Sequence, residues 1–389
     1  MFRQEQLRDS PVFSRLSATD LALLFSRMEN RTVQSNQLVC QQGERDSYLR
    51  ILLDGELERF IESPGTDRIF LGRISAGSIF GLERFNEHEP RRTSIEATKN
   101  STICEISVRA FRELFEQMPR AISTLLDAVT RAESNGIEQI EQQLGINPDN
   151  HKRATSRAVP PSRQKRGTEL ESVAVGVEHY PETSEMLSVS LLAELKQVGK
   201  CVSYPIGTSF FDDGDTPENC AVILSGKIRV TGPNEQEPLQ VTTETAGAIL
   251  GISALYPQDT GESTAYTVSE VHVIEFSRAD FDTLLKEPTV HTCRLQELVL
   301  RRLLAQQGAT LQNIIELESQ RPRSSETVPL KQSDIEKGIT KLASQKRPRT
   351  AETLEAIPTS LASKPPVENK ESQAQTISIP ADAPNDVEK

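Results

Sequence analysis

Gly43-Glu44 leads into Ile51-Leu52-Leu53-Asp54-Gly55-Glu56-Leu57, and Gly214-Asp215 leads into Val222-Ile223-Leu224-Ser225-Gly226-Lys227-Ile228 with the same glycine spacing. Working outward, Gly77-Ser78-Ile79-Phe80-Gly81 corresponds to Gly247-Ala248-Ile249-Leu250-Gly251, and Ser107-Val108-Arg109-Ala110-Phe111 to Ser277-Arg278-Ala279-Asp280-Phe281. Glycines recurring at one offset mark turns that need positive φ or close backbone approach, so the chain reads as one domain written twice. Between the glycines lie short β-branched and apolar pieces, such as Ile69-Phe70-Leu71, Ser94–Thr98 and Val271–Ile274. Many short strands separated by turns predict a sandwich or small barrel.

After the last strand of each copy the apolar period changes from two to 3.6. Phe111, Leu114, Phe115, Ile122, Leu125, Leu126 and Val129 recur at helical spacing, as do Phe281, Leu284, Leu285, Leu295, Leu298, Val299 and Leu303. Pro119 and Pro288 are placed to end a short helix and begin a longer one. The stripe on the longer helix is suited to the core, to a homodimer or to an interdomain seam. The expected domains are therefore residues 1–147 and 179–318, joined by a disordered basic linker, 148–178, and followed by a disordered tail, 319–389.

The composition fits that division. The 389 residues carry 44 Lys+Arg against 56 Asp+Glu, a net charge of −12, with 22 prolines, no Trp and 5% aromatics. An acidic balance opposes nonspecific binding to nucleic acid phosphates, and no apolar helices follow that would form a DNA-reading helix-turn-helix. No apolar stretch is long enough to span a bilayer, so a cytoplasmic protein without membrane attachment is expected. The five cysteines are scattered and read as small buried hydrophobes, and the histidines form no metal-binding array. No nucleophile elbow, P-loop or acid–base pair stands out, which predicts a non-enzymatic chain with no metal or resident cofactor.

Both copies resemble the cyclic nucleotide-binding domains of the catabolite activator and of protein kinase regulatory subunits. The resemblance implies mainly-β architecture: two tandem jelly-roll barrels, each with a C-terminal helix. It also implies a ligand cassette reading roughly Phe-Gly-Glu-x-Ala-Leu, then Pro-Arg-x-Ala. A cyclic phosphate needs a guanidinium and backbone N–H groups, and the ribose hydroxyl needs a carboxylate.

In copy one the resemblance puts Phe80 and Gly81 at the cassette entrance, Arg92 at the phosphate and Thr93-Ser94 after it. Leu82 takes the place of the ribose-binding glutamate, with Glu83 adjacent. In copy two, Gly251 is retained, Ile252 replaces the glutamate, and Glu262, followed by Ser263, stands where the arginine is expected. The expectation is a regulatory signalling protein whose first domain binds a cyclic nucleotide effector weakly. Its second domain serves as an interaction module toward a protein partner, with homodimerisation through the C-terminal helices. The alternative is a pseudo-sensor scaffold that binds no nucleotide.

Overall fold

The computed structural model describes residues 7, 10–62, 68–85, 90–134, 136, 167–169, 188–211, 217–231, 241–256 and 264–320. Copy one begins with helix α1 (Ala18–Ser26). The Ser17 hydroxyl accepts from the Asp20 N–H, and the Asp20 carboxylate accepts in return from the Ser17 N–H, which satisfies two of the helix's orphan donors. Eight strands follow: β1 (Glu29–Val33), β2 (Leu38–Cys40), β3 (Tyr48–Asp54), β4 (Glu56–Ile61), β5 (Ile69–Ser75), β6 (Ile79–Phe80), β7 (Ser94–Ala97) and β8 (Ser101–Ser107). They form two antiparallel sheets, ordered β1-β8-β3-β6 and β2-β7-β4-β5. A 3-10 turn, Leu82–Phe85, follows β6, and helices α2 (Val108–Gln117) and α3 (Pro119–Ser134) close the copy.

Copy two repeats this order. After α4 (Val189–Val198) come β10 (Lys200–Tyr204), β11 (Ser209–Phe211), β12 (Asn219–Ser225), β13 (Ile228–Thr231), β14 (Val241–Glu244), β15 (Ile249–Leu250), β16 (Thr264–Thr267) and β17 (Val271–Ser277). A 3-10 turn, Ile252–Ala254, again follows the short strand, and α5 (Arg278–Lys286) and α6 (Val290–Gln320) end the described chain. The sheets β15-β12-β17-β10 and β11-β16-β13-β14 have the copy-one strand order. Here α3 starts at Pro119 itself and α6 two residues beyond Pro288, as the proline positions predict.

The linker departs from expectation in one place. Thr168–Glu169 forms β9, which extends the first sheet of copy two by pairing antiparallel with Val202 and Ser203 of β10. Gly167, just before it, lies so close to Val202 and Tyr204 that a side chain there would collide with both. The rest of the linker and the tail from residue 321 lie outside the described residues.

Why Ile51-Leu52-Leu53 forms a continuous apolar run is visible in β3, which is covered on both faces. Leu52 points between the sheets with Val33, Leu57, Ile74, Phe80, Ile95 and Ile103. Leu49, Ile51 and Leu53 point the other way, against Phe111, Leu114, Phe115 and Leu125 of the helices. Four of the cysteines are buried and Cys201 is half-buried. Burial pushes the Cys104 thiol up to about 11 and the Cys293 thiol to about 12, which suits packing groups better than nucleophiles.

The recurrent glycines act as the repeat implied. Gly55 and Gly226 have φ of +99° and +90°, and a Cβ at Gly226 would strike the Glu270 carbonyl and Val271. Gly226→Ala is expected to cost more than the roughly 1–2 kcal/mol of a left-handed non-glycine residue, because backbone must also shift. Gly43→Ala, where a Cβ meets nothing within 4 Å, should cost only the conformational part. Urea denaturation of the two variants in parallel checks the order; equal losses would contradict it.

The apolar stripes of the long helices meet each other. Gln296 of α6 donates to the Ser123 carbonyl of α3 at 2.9 Å, and Gln307 to the Glu133 carbonyl at 2.6 Å. Two arginine clamps lock the ends in a pseudo-twofold way. Arg112 reaches the Phe85 carbonyl of its own copy and Glu297 of the other, at 3.4 and 2.6 Å. Arg278 reaches the Leu255 carbonyl at 2.6 Å and Asp127 of the other copy at 3.9 Å. Phe85 and Leu255, and Asp127 and Glu297, stand one repeat length apart. Of the roles open to the α3 stripe, the structure therefore uses it as core and as an intramolecular seam, the face a homodimer was expected to use.

Candidate functional site

The cassette of copy one forms a cavity of about 60 Å³ between the barrel and the helices. Gly81 has φ +81°, and a Cβ there would lie 2.9 Å from the Tyr48 carbonyl, so the chain turns here only with glycine. Phe80, Gly81, Leu82, Glu83, Arg92 and Thr93 all line the cavity, together with Arg59, Ile95 and Glu133. Ser94 does not join them: it is fully buried, and its hydroxyl accepts from the Gln42 N–H at 2.9 Å, fixing the turn before β3. Leu82 is buried in the core as it passes the cavity, consistent with an aliphatic residue in the place of a carboxylate.

The remaining wall comes from copy two. Leu304, Gln307, Gly308 and Leu311 of α6 complete the lining. Arg92 donates to the Leu304 carbonyl at 3.0 Å, and a Cβ at Gly308 would overlap the Arg92 guanidinium. The absence of a side chain at 308 is what lets the helix lie over this arginine.

Arg91 has a different fate from its neighbour. Its side chain is 0% exposed, and it pairs with Asp46 at 2.5 Å and with Glu83 at 2.8 Å. Asp46 also accepts from Arg50, which in turn holds Glu105. Burial would raise the Asp46 carboxyl, but the Arg91 and Arg50 bonds outweigh it and hold it below the usual range. Arg91 directly follows Pro90 as the arginine of a Pro-Arg-x-Ala motif does, yet Arg92 is the one that faces the cavity.

Carboxylates and guanidinium groups both line the cavity. Glu83 is paired with Arg91. Burial pushes the Glu133 carboxyl up toward its neutral form, against the pull of Arg59. Arg59 and Arg92 are the two cations that line the cavity, which favours an anion.

Sequence reasoning missed Arg59, Glu133 and the α6 residues. For α6 there was one signal: Gly308 is a lone glycine in an otherwise helical stretch, a place where glycine costs about 1 kcal/mol relative to alanine.

In copy two, Gly251 again has a positive φ, +69°, and Ile252 is buried in the core. Glu262 and Ser263 lie outside the described residues. Leu250 and Gly251 border a second cavity, of about 190 Å³, which also meets Tyr204, Phe210, Glu218, Ala221 and Glu275. Among the described residues no group of His, Cys, Asp and Glu is placed to hold a metal ion, and no helix is long and apolar enough to cross a membrane.

Comparison with known proteins agrees with the duplicated fold. The chain is 30% identical over 113 residues to a cAMP-dependent protein kinase regulatory subunit of Mycosarcoma maydis, covering 28% of this chain. It spans only about a fifth, 21%, of that relative's length. Among solved structures, the regulatory domain of Toxoplasma gondii PKA in complex with cAMP matches 79% of this chain and 95% of its own, at 12% identity and a TM-score of 0.25. The Thermus thermophilus catabolite activator protein matches 37% of this chain and 65% of its own, at 19% identity and a TM-score of 0.32. Residues 30–118 and 201–287 each match the family model of the cyclic nucleotide-binding domain, and the two matches stand in tandem.

Proposed function

We propose that copy one binds a small anionic effector of the cyclic nucleotide class at Arg92, and that copy two serves as an interaction module that reports its presence. The chain would act as a non-enzymatic regulatory protein toward a protein partner, in the cytoplasm. The observation that carries this reading is Arg92 itself, lining the cavity beside a second cation, Arg59, and bonded to the Leu304 carbonyl across the seam. Binding pockets for small molecules usually measure about 300–1,000 Å³, so the 60 Å³ here admits a nucleotide only if the end of α6 withdraws. An effector that takes Arg92 from Leu304 would shift the equilibrium position of α6, and with it the surface shown to a partner.

The pseudo-sensor reading also has an observation in its favour: Arg91 is already satisfied by two carboxylates, and the cavity is small. Thermal melting of the full chain with millimolar cyclic AMP or cyclic GMP separates the two. Effector binding predicts a saturable rise in melting temperature that Arg92→Ala abolishes, since a ligand at 100 times its Kd adds about 2.7 kcal/mol. No response from the wild type with either nucleotide would leave the scaffold.

A further inference from the structure

The two copies treat one equivalent carboxylate in opposite ways. In copy one, Glu105 of β8 lies opposite Arg50 of β3, and Arg50 Nε reaches its carboxylate at 2.5 Å. Arg31 of β1 bonds the same oxygen at 3.4 Å. In copy two the register is repeated with Glu275 opposite Ala221, and Val202 takes the place of Arg31. The acid is retained while both arginines are replaced by aliphatic side chains.

The space does not close behind them. Ala221 and Glu275 both line the 190 Å³ cavity, far above the roughly 10–15 Å³ that one water needs. The Tyr204 hydroxyl donates to Glu275, and the Tyr204 and Phe210 rings lie with centroids 4.5 Å apart on the cavity wall. Glu218 lines the cavity as a second carboxylate. Exposed Lys200 lies opposite Glu275 in the β10–β17 register. A carboxylate at the end of an aromatic-walled cavity suits a planar cation, which can bond the acid and lie against the rings.

We propose that the cavity bounded by Ala221, Tyr204, Phe210 and Glu275 is a binding site for a guanidinium group, seated where copy one carries Arg50. Burial pushes the Glu275 carboxyl up, against the Tyr204 bond and Lys200, so an entering guanidinium would add a charge-assisted bond to an acid that burial has stripped of water. The guanidinium has two possible sources: a ligand or partner residue from outside, or this chain's linker, where Arg163 and Arg166 shortly precede Gly167.

The test uses the full chain, with agmatine as the guanidinium probe and melting temperature as the readout. Four proteins are compared: wild type, Arg163→Gln/Arg166→Gln, Glu275→Gln and Ala221→Arg. The linker variant should show a saturable rise of about 2–4 °C. The wild type should match it if the site takes an outside group, and should respond less if its own linker holds the site. Glu275→Gln should weaken binding roughly tenfold or more, as loss of a charge-assisted bond implies. Ala221→Arg, which supplies the guanidinium as copy one does, should not respond. No saturable response in either the wild type or the linker variant would overturn the proposal. So would an unchanged response in Glu275→Gln, whose isosteric change keeps this arm informative even if Ala221→Arg fails to fold.

Discussion

Arg91→Ala is expected to remove about 3–5 kcal/mol of stability, the usual loss when one partner of a buried ion pair is deleted. The arginine is fully enclosed and holds Asp46 and Glu83 together, so its removal leaves two carboxylates beside an empty volume. Arg91→Lys should recover only part of the loss, because an ammonium cannot make the forked contact to both Asp46 oxygens. The pH dependence has a definite sign. The folded-state value of Asp46 is depressed below the ordinary 3.8 of an aspartate, so its contribution is fully present above that value and fades as pH falls through the folded one. Arg91→Ala should therefore narrow the gap between urea midpoints at neutral and strongly acidic pH. Arg92→Ala should change stability far less, and equal losses in the two variants would show that the neighbouring arginines had been assigned the wrong roles.

A comparable loss is expected from Arg112→Ala, but at the seam and not inside a barrel. Glu297 is 2% exposed and receives three hydrogen bonds from the Arg112 guanidinium, so deleting the arginine strands a buried carboxylate between the copies. The expected cost is again about 3–5 kcal/mol. Since both barrels keep their own cores, a clamped wild type should melt in one transition and Arg112→Ala in two in calorimetry. The double variant Arg112→Ala/Glu297→Ala should regain much of the loss, because it no longer buries an unpaired charge. A single undivided transition with wild-type midpoint in Arg112→Ala would remove the clamp from the account of the seam.

The short strands, the two long helices and the duplication could be read from the chain because each has a period or a fixed offset. Ile51-Leu52-Leu53 and Val222-Ile223-Leu224 repeat as runs buried on both faces, and Pro119 and Pro288 mark helix starts. The division of labour between Arg91 and Arg92 could not be read in the same way. The two arginines precede β7 at a bend, where no periodicity tells their directions apart, so reading the motif one residue out of step exchanges an enclosed ion-pair residue for one that lines the cavity. The α6 wall of the cavity was hidden for another reason: periodicity reports that a helix has an apolar face, not which neighbour covers it. Thr168–Glu169 carries no apolar alternation, and its pairing with β10 depends on an open sheet edge that only the folded copy provides.

The seam between α3 and α6 joins two halves of one polypeptide. Association of separate subunits weakens on dilution, whereas this pairing is unimolecular and is set by an effective concentration that the linker fixes. A self-associating dimer must also use one sequence for both of its faces, because its two subunits are identical. A covalent tandem is released from that constraint. Its halves have diverged at Arg50 and Ala221, at Leu82 and Ile252 and, at the seam itself, at Arg112 and Asp282, so each face of the seam carries its own side chains.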